Sequence, residues 1–110
     1  MNTEKPQVAP VKTGPKVPDW MTVSAESVTV KLTVPSSFNG VKSDTITLRS
    51  PSLKDVRNCQ KAHPNDEEAV DLMLFASLAE VGTSDMEGLK LKDYLRVQTA
   101  YFRVVAEDSI

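Results

Sequence analysis

Residues 69–81 read AVDLMLFASLAEV, ten apolar positions in thirteen, interrupted by Asp71, Ser77 and Glu80. A surface helix needs one apolar stripe, and this segment has more than one. Asp71 and Glu80 stand nine residues apart, which at about 100° per residue puts them on opposite sides of a helix. No single polar face can be drawn. The helix therefore needs cover on at least two sides, from its own fold, from another copy or from a client protein. Asn65 or Asp66 is placed to cap it, and Asp66, Glu67 and Glu68 complement its positive N-terminal end. Gly82 is expected to close it.

Upstream the period changes to two. In residues 28–34, VTVKLTV, Val28, Val30, Leu32 and Val34 point one way and Thr29, Lys31 and Thr33 the other. That predicts a half-buried strand, which Pro35 is expected to end. Asn39-Gly40 is a turn dipeptide. Residues 45–49, TITLR, give the return strand with Ile46 and Leu48 inward, and the strands can extend toward Phe38 and Val41. Two strands alone are marginal, so helices, or strands from another subunit, must cover their apolar face.

Ser52 with Asp55 three residues on resembles a capping box, and Pro51 suits a helix start. A helix is predicted from about 51 to 62, with Leu53, Val56 and Cys59 or Gln60 inward, stopped by His63-Pro64. Ser84 with Glu87 forms a second capping box, which Gly88 limits to a short turn. The last helix is predicted from about 92 to 106. Leu91, Tyr94, Leu95, Gln98, Tyr101, Phe102 and Val105 fall at spacings of three and four and form its apolar stripe. The fold class is α+β: an N-terminal β-hairpin followed by three α-helices.

Composition narrows the picture. The chain has 110 residues, enough for one domain. Four of its seven prolines (Pro6, Pro10, Pro15 and Pro18) lie in the first 18 residues. Residues 1–24 therefore read as a disordered proline-rich arm and 25–110 as the domain. Trp20 and Met21 offer a possible recognition anchor within the arm. Thirteen basic residues against fifteen acidic give a net charge of −2, which argues against nucleic-acid or anionic-membrane partners. A lone cysteine, Cys59, fits a reducing compartment. With no secretory leader and no run of about 18 apolar residues, a soluble intracellular protein is expected.

Catalytic chemistry is scarce. Cys59 and His63 form an i,i+4 pair, but a structural zinc site needs about four ligands and no further Cys or His exists. As a nucleophile pair they lack an orienting group and an oxyanion hole. The carboxylates of Asp66, Glu67, Glu68 and Asp71 read as a solvated helix start, and the four glycines are too scattered for a phosphate loop. No cofactor, metal or catalysis is expected. Lys90, Lys92, Arg96 and Arg103 are interleaved with Asp93, Glu107 and Asp108, so no basic stripe supports a DNA-binding regulator.

The order of these elements is more telling than any one of them. An alternating strand and an Asn-Gly turn lead to a second strand running into LRSPSLKD at residues 48–55. An acidic-capped apolar helix, the turn at residues 78–84 and Leu91-Lys92-Asp93-Tyr94 follow. Over about residues 28–105 the chain resembles the tail assembly chaperones of contractile-tailed phages, typified by the small protein E encoded just before the tape measure protein.

The resemblance implies a non-catalytic protein of the host bacterial cytoplasm. Its client would be the tape measure protein, a long helical chain kept soluble until tube subunits assemble around it. A longer frameshifted form sharing this N-terminal part is also implied. A sequence-tolerant apolar surface is needed for such a client, and Met73, Leu74, Phe75, Leu78, Tyr101 and Phe102 are the candidate partner-binding residues. Phe75→Ser is expected to leave the fold intact and abolish co-purification with the client. Self-association through the hairpin edge or the apolar helix is expected as well. The rival readings are a minor tail or baseplate subunit and a small DNA-binding regulator.

Overall fold

The computed structural model describes residues 17–106. Its elements in chain order are β1 (Met21–Val23), β2 (Ser27–Phe38), β3 (Val41–Arg49), α1 (Leu53–Ala62), α2 (Glu67–Ala79), α3 (Thr83–Glu87) and α4 (Leu91–Val105). The class is α+β, as expected, but the hairpin gains a third strand and the helices number four. The extra strand comes from the stretch assigned to the arm. Met21 pairs with Val30 and is buried, so β1 adds antiparallel to β2 in a sheet of order β1-β2-β3. Trp20 lies beneath the Arg96 guanidinium, 5.0 Å from its ring centroid. Residues 1–16 of the expected arm lie outside the described residues.

Asn39 and Gly40 both take positive φ, 55° and 80°. With Phe38 paired to Val41 they form a two-residue turn whose twist matches the strands. That turn is tied down: Asn39 N donates to Asp85 Oδ2 (3.0 Å) and Asn39 Nδ2 to the Glu80 carbonyl (3.1 Å).

Pro35 does not end β2. The register jumps between the pairs Lys31↔Thr45 and Ser36↔Ser43, so residues 32–35 face Asp44 alone. Proline lacks a donor and is tolerated at such a bulge. The bulge leaves strand amides to satisfy, and α4 supplies the acceptor. Asp93, fully buried, accepts from Thr33 N (2.8 Å), Thr33 Oγ1 (3.0 Å) and Val34 N (3.5 Å). Arg96 donates to the Lys31 carbonyl at 2.7 Å. Two charged side chains of α4 thereby occupy the edge of β2 beyond β1.

The inward face of the sheet carries Val28, Val30, Leu32, Ile46 and Leu48, all buried. Its other face is polar, with a Thr29–Thr47 hydroxyl bond of 2.8 Å and a Lys31–Asp44 ion pair of 3.1 Å. α2 packs on β3 and against α1 and α3, while α4 lies over β2. The Ser52–Asp55 capping box forms as expected, and Asp55 also holds Arg49 at 2.8 Å. Asp66 caps α2 through Ala69 N. The end of α2 differs from expectation: Glu80, not Gly82, takes the left-handed position, with φ 60° and ψ 42°. Gly82 instead precedes α3, where its amide donates to Asp85 at 3.3 Å, so Asp85 takes the capping role expected of Glu87.

Candidate partner-binding surface

The six candidate residues fall into two groups. Leu74, Phe75 and Leu78 are buried within the chain's own fold, Phe75 at 1% exposure. In this conformation they offer no surface to a partner. The cover that α2 demanded comes from the sheet and the neighbouring helices. Met73 and Tyr101 are half-buried, and Phe102 is 66% exposed. Phe75 lies 5.0 Å from Tyr101, and Tyr101 lies 5.5 Å from Phe102, centroid to centroid. Tyr94 lies 5.9 Å from Phe75. The rings form a ladder from core to surface in which Phe75 alone is fully buried.

The surplus apolar surface is on α4. Its inward face is Asp93, Val97 and Ala100, with Val104 half-buried. The stripe predicted from the sequence points largely out: Leu91 is 71% exposed, Leu95 49%, Phe102 66% and Val105 44%. With Gln98, these residues are spaced four, three, four and three apart. That is the repeat of a coiled-coil seam, the face that a second helix packs against. Leu91, Leu95 and Val105 belong to the apolar stripe that the sequence predicts. The spacing was visible there, but their outward direction was not. It depends on Asp93, a charged residue, facing the bulge of β2.

Beside the seam lies a groove of about 470 Å³ between α2, α3 and α4. Leu72, Met86, Leu89, Leu91, Tyr94 and Gln98 line it, together with the carboxylates of Glu68, Asp71 and Glu87. Burial pushes the Asp71 carboxyl up, and the neighbouring Glu67 adds to this. Burial also raises the phenols of Tyr94 and Tyr101, reinforced in both by the negative charge of Asp71.

Elsewhere the chemistry is modest. Cys59 is buried, and desolvation, with Asp55 nearby, pushes its thiol up, away from the reactive thiolate. His63 sits at the C-terminal cap of α1, its amide bonded to the Cys59 carbonyl at 3.1 Å. Among the described residues no three His, Cys, Asp or Glu side chains gather as metal ligands, and no helix is long and apolar enough to cross a membrane.

The folded core thus carries an outward-facing seam of coiled-coil spacing on α4. The family model described as phage tail assembly chaperone proteins, E, or 41 or 14, matches residues 29–106. The chain belongs to that family. The match runs from the third residue of β2 to one residue past α4, so it takes in the bulge, the groove and the whole seam. No curated protein and no solved structure gives a match. Members of this chaperone family are generally non-catalytic.

Proposed function

We propose that the chain binds the tape measure protein of its phage through the outer face of α4, holding that helical client soluble in the host bacterial cytoplasm until the tail tube forms. The carrying observation is the exposed seam of Leu91, Leu95, Phe102 and Val105, with half-buried Gln98 among them, on a chain of the tail assembly chaperone family. A long client with many amphipathic stretches is best served by a seam that reads spacing rather than sequence. Phe102 and Leu95 are its central anchors, with Tyr101 at its border. The protein acts by binding alone, without a catalytic step. A longer frameshifted form would present the same seam.

Self-association through α2 would use its half-buried Val70, Leu72 and Met73, since Leu74, Phe75 and Leu78 are buried. The outer edge of β3 remains, but it carries Lys42, Asp44 and Arg49, charges that discourage strand pairing. The test is co-expression with the tape measure protein. Phe102→Ser, alone or with Leu95→Ser, should leave circular dichroism and melting unchanged and abolish co-purification. Undiminished co-purification from the folded double variant would refute the assignment.

A further inference from the structure

We propose that the groove between α2, α3 and α4 receives the flank of a partner helix whose apolar stripe is bordered on one side by lysine or arginine. This rests on α4 being the client face and adds the charge that the client must carry. Groove and seam share Leu91 and Gln98, so a helix seated on the seam holds one flank over the groove. The charged side chains lining that groove are Glu68, Asp71 and Glu87, all carboxylates, around an apolar floor of Leu72, Met86 and Leu89. Asp71 is half-buried beside Glu67, and a cation brought by the partner offsets that unfavourable placement. An acidic flank would meet three like charges and be rejected.

The far border of the seam is different. Lys92 and Thr99 stand there, both exposed. A seam acidic on one side and basic on the other fixes the orientation of the bound helix as well as its register. A second copy fits the groove poorly. Of the basic side chains beside its own seam, Arg96 is engaged with the Lys31 carbonyl and Trp20, and Arg103 is partnered as well.

The test uses two synthetic helical peptides of about three heptads, with the same leucine stripe and either lysine and arginine or glutamate along one flank. Each is titrated into the full chain by fluorescence anisotropy. The basic peptide should bind at least about tenfold more tightly at low salt, with the gap narrowing at high salt. Glu68→Lys combined with Glu87→Lys, both at exposed positions, should invert the preference while the chain stays folded, with Tm lowered by only a few degrees for the cation in the first turn of α2. Equal affinities, no binding by either peptide, or an unchanged preference in the double variant overturns the proposal. So does a chain lacking residues 1–16 that binds the basic peptide about tenfold more tightly, which would assign the groove to that segment. A dimer lost on charge reversal would assign it to a second copy and also overturn it. Co-purification with the tape measure protein separates the two claims. If charge reversal leaves it intact and Phe102→Ser abolishes it, the client face stands and the charge selection falls. If neither variant affects it, the client face itself falls.

Discussion

Asp93 governs the way α4 faces. Its carboxylate is fully buried and receives the Thr33 and Val34 amides that the bulge of β2 exposes. Asp93→Ala should cost about 2–4 kcal/mol by chemical denaturation, since buried donors lose a charged acceptor. Glu80 is the reverse case, a non-glycine residue at φ 60°. Glu80→Gly should raise stability by about 1 kcal/mol, or roughly 4–8 °C in Tm; the Asn39 bond survives because it uses the Glu80 backbone carbonyl. Two carboxylates act oppositely on pH dependence. Arg49 and the Ser52 amide hold Asp55 well below the usual carboxylate range, so its contribution is present above about pH 4 and fades as pH falls further. Asp55→Asn should therefore flatten the acid limb of a stability–pH curve and lower the plateau at neutral pH. Asp71, pushed up by burial, favours the fold most below its unfolded pKa and less as pH rises through its folded value. Asp71→Asn should stabilise at neutral pH. Local chemistry such as the Ser52–Asp55 box, the Asp66 cap and the Asn39-Gly40 turn was legible because it is written within four residues. The partnership of Asp93 with Thr33 spans sixty residues, and no local pattern encodes it.

At the scale of elements, α2 and α4 exchange the roles that their sequences suggest. α2 is apolar nearly all round, and its own fold buries Leu74, Phe75, Ala76 and Leu78. α4 has a clean stripe, and much of that stripe faces water. The helical pattern of each was readable, but its direction was not. A stripe marks a face without saying whether the chain or a partner covers it, and the true inner face of α4 is disguised by Asp93 and the small Ala100. The distinction has measurable consequences. Phe75→Ala should cost about 3–5 kcal/mol, as expected for emptying a core site. Phe102→Ala should stay within about 0.5 kcal/mol of wild type, as expected for an exposed position. Paired denaturation curves check both. Phe75→Ser is accordingly a test of folding rather than of binding.

For the molecule as a whole, the sheet is a platform with one polar face, α2 fills the core above it, and α4 is clamped to the edge of β2 with its seam outward. Clamping explains how a chain with such exposed leucines stays ordered. Asp93 and Arg96 fix the helix on its inner side, so the outer side need not be buried to hold it. The family match spans this entire arrangement, from the β2 ladder to the last turn of α4. The central claim is that the outer face of α4 meets the tape measure protein. Photo-crosslinking in the infected cell, from a probe placed at Leu95 or Phe102 with Lys42 on β3 as the control site, tests it most directly. Covalent adducts with the tape measure protein from Leu95 and Phe102, and none from Lys42, are predicted. Adducts only with further copies of the chain, or equal yields from all three positions, would contradict it.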